Sequence, residues 1–184
     1  MLTYKHPKAK TCEVCERVFV PDRMGQLVCR PACAMARVRN AKKAERESVR
    51  ARKEAIKTIA DLKREAQTAM NRWIVQVRDA DKPCISCGRH HQGQWHAGHY
   101  LSRGSAPQHA LNPMNVWKQC APCNTYLHGN LIPYRVRLIE LIGLEAVEAM
   151  ENDNAPHKWT REGLIEVRDT YRAKLKDIQK GETC

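Results

Sequence analysis

Phenylalanine occurs once in these 184 residues, and all aromatics together make up only 5%. A single large core is hard to build from so few bulky side chains, which points to small modules held by something other than burial. No apolar run approaches the length that crosses a bilayer, and Met1 to Lys10 has no apolar stretch of the kind that opens a secretory signal. Acidic residues are also short. Asp plus Glu number 20 against 32 Lys plus Arg, a formal net charge of +12. That balance favours nucleic acid as partner, because basic side chains gain affinity by releasing counterions from phosphates. A membrane-surface role is disfavoured, since the basic residues do not sit opposite a bulky apolar helix face.

What the chain does have is cysteine, nine in all. Eight fall into two sets of four, Cys12, Cys15, Cys29, Cys33 and Cys84, Cys87, Cys120, Cys123, with Cys184 left over. With no secretory signal, reduced thiolates on zinc fit better than a disulfide framework, and the expected compartment is the cytosol. Four thiolates complete a tetrahedral zinc and leave no position for water, so both sites are expected to be structural.

Between the first two cysteine pairs, Phe19 to Val28 reads as a short hairpin turning at Pro21 to Gly25, and Cys33 opens into a helix. From about Ala34 to Arg78 there is no Gly or Pro, and the composition predicts one long helix. Its first half carries Arg37, Arg39, Lys42 and Lys43, either a solvated face or a contact to the DNA backbone. Its second half carries an apolar seam at Ile56, Ile59, Leu62, Ala66, Met70, Trp73 and Val77, fit to pack on the next module or on a second copy of the chain. Beyond Gly129, Pro133 to Met150 reads as helical with a break near Gly143, and Thr160 caps a last helix over about Arg161 to Gln179. The expected fold is α+β and mainly helical. Its parts are an N-terminal zinc knuckle or ribbon (8–34), a long basic helix (35–81), a zinc-stapled module (82–130) and a C-terminal helical region (131–184).

The chemistry concentrates between Cys84 and His128. Gly88 relieves the tight turn of a Cys84-Ile-Ser-Cys87 knuckle, and Cys120-Ala-Pro-Cys123 supplies the other two thiolates. His96 and His99 sit in Trp95-His-Ala-Gly-His-Tyr100, a run able to form a strand. Asn124 follows Cys123 directly, so closing the zinc would fix its position. Asn115 lies in the loop expected to lead into a helix bearing Cys120 and Cys123. His-Ala-Gly-His lacks the i, i+4 pair and the glutamate of a catalytic-zinc hydrolase.

Cys84-x-x-Cys87, His99, Asn115 and Cys120-x-x-Cys123-Asn124 resemble the HNH, or ββα-metal, endonuclease motif in its zinc-stapled, endonuclease VII-like form. More closely, His96-Ala-Gly-His-Tyr100, Lys118-Gln-Cys-Ala-Pro-Cys-Asn124 and Gly129-Asn-Leu-Ile-Pro-Tyr-Arg-Val136 are similar to the NinG/Rap family of lambdoid phage recombination endonucleases. The resemblance implies a structure-specific DNA endonuclease that hydrolyses phosphodiesters in branched recombination intermediates, Holliday junctions and D-loops. It implies His99 as general base, Asn115 as the residue that holds the loop and so the histidine, and Asn124 as a ligand of a catalytic divalent ion. His96 stands where an Asp ligand is expected. Asp suits Mg²⁺ or Mn²⁺, whereas imidazole also opens Ni²⁺ or Zn²⁺. His128, about one helical turn beyond Asn124, is the substitute ligand. Arg103 and Arg135 join the basic helix residues as expected DNA contacts, although a solvated Arg103 fits equally well. Two symmetric cuts call for a homodimer, expected through the Ile56 to Val77 seam. The alternative is a non-catalytic zinc-stabilised protein that binds DNA or bridges partners, which the His96 departure favours.

Overall fold

The computed structural model describes residues 8–181, with the side chains of 178–181 excepted; Cys184 and the first seven residues lie outside it. The described residues divide into two compact units that meet at Lys57 and Thr58.

In the first unit, β1 (Lys10–Thr11) pairs antiparallel with β2 (Val18–Phe19), and α1 runs from Pro31 to Ala55. The hairpin expected over Phe19 to Val28 therefore lies one segment earlier. Its turn is the Cys12–Cys15 knuckle itself, where the Cys12 N–H donates to Arg17 O and Glu16 takes a left-handed φ of +59°. Pro31 starts α1 in the first turn, where its missing N–H costs nothing.

The single helix expected from Ala34 to Arg78 is two. α1 stops at Ala55, and α2 begins afresh at Ile59. The break has a local cause. Thr58 and Asp61 form a reciprocal capping box, with the Asp61 N–H donating to Thr58 Oγ1 and the Thr58 N–H donating to Asp61 Oδ2 (both 3.1 Å). α2 ends at Trp73 and loosens into one π-helical turn, Ile74–Arg78.

The second unit is built around a two-stranded antiparallel ribbon of β3 (Trp95–His99) and β4 (Val116–Cys120), with His96 opposite Gln119 and His99 opposite Val116. One side of it meets α2 and α5 (Arg161–Gly181). There Leu62, Ala66, Met70 and Ile74 pack with Val116, Leu164 and Tyr171, and Ala97 packs against them. The other side meets α3 (Leu131–Ile142) and α4 (Leu144–Asn152), where Tyr134, Leu138, Val147 and Met150 gather with Ile85, Tyr100 and Trp117. The α2 seam is thus consumed within its own chain. Leu62, Met70 and Ile74 are fully buried, and only Ile56 and Ile59 at its start stay exposed. Within the folded chain the seam is spent on α5 and the ribbon.

One buried ionic hub ties α2 to the ribbon. Asp79 accepts from the Arg78 guanidinium (2.6 and 3.0 Å), the Lys82 ammonium (2.9 Å) and the Lys118 N–H (3.2 Å). Arg78 in turn donates to Pro113 O and Val116 O (2.7 Å each) and lies 4.0 Å from the Trp117 ring centre. Burial alone would raise the Asp79 pKa, but its hydrogen bonds to Arg78 and Lys82 outweigh burial and hold it below 3.8. Its contribution to stability is present above the ordinary Asp pKa and is lost as pH falls through the lowered one. Asp79→Ala leaves a half-buried guanidinium without its carboxylate, and is expected to cost about 3–5 kcal/mol. A fall in the urea midpoint with unchanged slope checks this; a midpoint equal to wild type contradicts it.

Candidate functional site

Each cysteine tetrad closes on itself. Within each set the four Sγ atoms all lie within 4.8 Å of one another. Cys15 to Cys29 is 3.5 Å, Cys29 to Cys33 is 3.8 Å and Cys87 to Cys120 is 4.0 Å. Tetrahedral zinc with Zn–S bonds of about 2.3 Å requires sulfurs ~3.8 Å apart, so both sets fit zinc without rearrangement. Backbone N–H groups reinforce the arrangement, Cys29 N donating to Cys12 Sγ and Cys120 N to Cys84 Sγ at 3.4 Å each. In the second set Gly88 takes a left-handed φ of +66°, which favours glycine, with the Arg137 guanidinium lying over it.

The thiol pKa values show why a cation belongs there. Burial pushes Cys12 up, yet the N–H groups of Cys15, Val14 and Cys29 outweigh it and bring it to about 6. Half-buried Cys29 is pushed up to about 12, first by desolvation and then by the thiols beside it. In the second set the Cys84 thiol is lowered, burial notwithstanding, by backbone donors, while burial and its neighbours push Cys120 up to about 12. One thiolate per set is stabilised, and further negative charge accumulates only against a cation. The described cysteines are all free thiols.

The second tetrad joins three pieces of chain: the knuckle at Cys84 and Cys87, the end of β4 at Cys120, and a π-helical turn, Pro122–Tyr126, bearing Cys123. Asn115 accordingly leads into a strand rather than a helix. Asn124, on the turn, has its amide Nδ2 3.0 Å from His96 Nδ1. His96 Nε2 is buried and has no hydrogen-bond partner among the described residues, so the ring is not fully committed to the protein. With the amide turned so that Oδ1 faces the imidazole, the 3.0 Å separation is that of two ligands at right angles about an ion with bonds of ~2.1 Å. The cleft in front of the pair, about 360 Å³, is lined by Asn71, Arg72, Val75, Gln76, Gln94, Trp95 and Ala97 beside His96 and Asn124, and no carboxylate lines it.

His99 is placed differently. The regular register of β3 gives His96 and Gly98 one face of the ribbon and Trp95, Ala97 and His99 the other. The His99 Nε2 lies 3.1 Å from Ala110 O; because a carbonyl only accepts, Nε2 carries the proton and Nδ1 keeps its lone pair. Burial, and secondarily the charge of Arg103, push the His99 pKa below 6.5 despite the Ala110 bond, so the ring is neutral at pH 7. Asn115 is fully buried and fully bonded. Its Nδ2 donates to Leu101 O and His109 O (3.0 Å each) and its Oδ1 accepts from Leu101 N (2.7 Å). Those bonds hold both ends of the 101–109 loop, which delivers Ala110 to His99.

Other sequence-predicted residues fall elsewhere. The π-helical turn ends at Tyr126, and His128 follows it exposed with φ +48°, so it is not one helical turn on from Asn124. Arg135 is bound in both directions by Glu151 (2.7 and 2.9 Å), which also accepts from the Tyr100 hydroxyl. That pair, with the Arg135 bond as first cause, holds Glu151 at about 2; Arg135 is a structural cation, not a free one. Arg37 pairs with Glu13 at 2.7 Å and Lys43 approaches Glu47 at 4.0 Å, both exposed, while Arg39 and Lys42 are exposed on α1. Arg103 is exposed on the 101–109 loop.

Sequence reasoning missed the residues that shape the ribbon from behind. Gln119 donates to Ser86 Oγ (2.6 Å) and Gly129 O (2.5 Å), and a Cβ at Gly98 would strike its Oε1 at 2.1 Å. The Tyr134 hydroxyl donates to Gly98 O at 2.9 Å. Gly98 inside an otherwise β-forming run was the available signal for such a close approach.

The family model described as "Bacteriophage Lambda NinG protein" matches residues 4–182. A protein ninG of Salmonella phage P22 is 38% identical over 186 residues, covering 91% of both chains. Those of Escherichia phage lambda (37% over 194 residues) and Escherichia phage 933W (36% over 192 residues) each cover 94% of this chain and 95% of their own. No solved structure matches. With the family model spanning nearly the whole sequence and end-to-end relatives above 30% identity, this chain belongs to the NinG family.

Proposed function

We propose that this protein is a metal-dependent DNA endonuclease acting on branched recombination intermediates, Holliday junctions and D-loops, with a zinc-stapled HNH module over residues 82–130. The observation that carries the reading is His99: a neutral imidazole with Nε2 committed to Ala110 and Nδ1 unpartnered among the described residues, on the strand that also bears His96, whose ring meets Asn124. In this reading His99 Nδ1 takes the proton from an attacking water. Asn115 acts through Ala110 as a positioning residue. His96 and Asn124 hold the catalytic ion, Mn²⁺ or Ni²⁺ more readily than Mg²⁺ given two neutral donors, with Zn²⁺ a further option. Such an ion supplies charge neutralisation at the scissile phosphate. Two neutral ligands bind it weakly, so its affinity is expected to rise when DNA brings phosphate oxygens to the cleft.

Cysteines gathered into two zinc-fitting tetrads rather than disulfides support action in the host cytosol. Symmetric nicking still calls for a two-fold pair of sites, formed through some surface other than the α2 seam. The opposite facing of His96 and His99, together with a carboxylate-free cleft, favours one rival: a zinc-stabilised DNA-binding or bridging protein without catalysis.

The pH dependence of cutting separates the two. Under saturating junction, cutting is expected to fall on the acid side only below pH 6.5, because the lowered His99 pKa keeps the base free above it. Arg103→Gln removes a positive charge that lowers the His99 pKa, and should move that acid limb to higher pH. A limb at or above 6.5, unmoved by Arg103→Gln, removes His99 from the role of base.

A further inference from the structure

The outward face of α2 continues the cleft in front of His96 and Asn124. That cleft is lined on the helix side by Asn71, Arg72, Val75 and Gln76. A second cleft of about 580 Å³ is lined by Ala60, Lys63, Arg64, Gln67, Thr68 and Asn71, with Arg103 and Gly104 opposite. The two share Asn71. Taken together the positions are 60, 63, 64, 67, 68, 71 and 72 on α2, with 75 and 76 on the π-helical turn that continues it, a stretch about 24 Å long at ~1.5 Å per residue. The same helix buries Leu62, Ala66, Met70 and Ile74 on its other side.

The chemistry of this face is one-sided. It offers cations from Lys63, Arg64, Arg72 and Arg103, amides from Asn71 and Gln76, and no lining carboxylate. The acidic residues of α2 are used elsewhere: Asp61 in the capping box and on Arg64 (2.5 Å), Glu65 on Arg168 and Arg172 of α5 (3.0 and 3.3 Å). Lys63 and Arg103 have no partner among the described residues, and Arg72 donates only to the neutral Gln76 Oε1 (2.8 Å). At the shared point, Gln67 Nε2 donates to Asn71 Oδ1 at 2.7 Å, which leaves the Asn71 Nδ2 without a partner. Gln67 is itself more than nine-tenths buried, with its Oε1 unpartnered. Unspent donors and cations in a line, with amides between them, are what a sugar–phosphate backbone takes up.

We propose that this α2 face, and not the basic face of α1, is the track that leads one DNA strand to the His96–Asn124 cleft, with Lys63, Asn71, Arg72 and Arg103 on its phosphates. The proposal rests on the nuclease reading for what happens at the end of the track, but its test does not. About 24 Å spans roughly seven phosphates of a strand at 3.4 Å each, enough to hold one arm of a junction beside the site.

The test is equilibrium binding of the zinc-loaded full chain to a fluorescent four-way junction, over a series of salt concentrations and without added catalytic ion. The variants are Asn71→Asp, which keeps the acceptor for Gln67 but removes the free donor, and Lys63→Ala/Arg72→Ala; circular dichroism and zinc content monitor the fold. The double variant is expected to flatten the slope of log affinity on log salt by about two, and to weaken binding roughly fiftyfold near 0.1 M salt. Asn71→Asp should weaken binding at least fivefold, and Arg39→Ala/Lys42→Ala on α1 should leave the affinity within about twofold. Wild-type affinity and slope in both α2 variants would overturn the track, as would a larger loss from the α1 variant. A wild type that binds through α2 but cuts under no ion removes the nuclease reading and leaves the track standing. A wild type that cuts, with α2 variants binding normally, removes the track alone.

Discussion

Stripping zinc with a strong chelator is expected to abolish the cooperative unfolding of residues 58–184. The second tetrad is the joint between three pieces of chain that otherwise meet through a few hydrogen bonds, Ser86 and Gln119 on Gly129 O and Ile85 N on Lys118 O. The knuckle at Cys84 and Cys87, the end of β4 at Cys120 and the turn at Cys123 meet in a small cluster whose apolar neighbour is Trp95. A two-stranded ribbon is marginal by itself. Structural zinc in thiolate sites contributes about 10–16 kcal/mol, as much as the whole stability of an ordinary domain. Removing it leaves thiolates whose mutual repulsion the metal had cancelled, and which must take up protons to relieve it. The readouts are far-UV circular dichroism and tryptophan fluorescence during titration with chelator, and Cys120→Ser should reproduce the loss without it. A spectrum and melting temperature untouched by complete zinc removal would mean the helical packing of α2, α3, α4 and α5 holds the unit alone.

His99→Ala is expected to lower junction cutting by about a hundred- to ten-thousandfold, the usual worth of a general base, with junction affinity within about twofold. The separation of the two effects follows from geometry. Among the described residues His99's one side-chain hydrogen bond is to Ala110 O, beside a loop already held by three bonds to the Asn115 side chain. Deleting the ring therefore removes a proton acceptor without releasing the loop. Asn115→Ala is the opposite case. It orphans Leu101 and His109 backbone groups inside the protein, so it should cost both stability and cutting. Equal loss of affinity and cutting in His99→Ala would assign that residue to binding, the rival reading.

What the sequence made legible was local. Both tetrads follow from spacing within a few residues, and the His-Ala-Gly-His run formed the strand its residues favour. The break between α1 and α2 was also written locally, in Thr58-x-x-Asp61, but a stretch free of Gly and Pro and rich in Ala, Lys and Glu masks a cap placed inside it. The first hairpin was misplaced because Pro21 to Gly25 carries strong turn residues, whereas the turn that forms is the cysteine knuckle. The rest depended on partners far along the chain. The α2 seam meets α5 roughly a hundred residues later, so nothing near it distinguishes packing in cis from dimerisation. Arg135 looked like one more free cation until Glu151, two helices' faces away in sequence, claimed it. In the site, the His96–Asn124 contact was foreseeable from zinc closure. The facing of His99 was not, because it depends on the unbulged register of β3 against β4.

The central claim is best tested by incubating the zinc-loaded protein with an end-labelled four-way junction and the matched linear duplex, under Mg²⁺, Mn²⁺ or Ni²⁺ in turn. The account predicts ion-dependent cutting of the junction in preference to the duplex, strongest with Mn²⁺ or Ni²⁺, leaving 5′ phosphate and 3′ hydroxyl ends. Tight junction binding with no cutting under any of the three ions would contradict it, and would leave a zinc-stapled DNA-binding protein in its place.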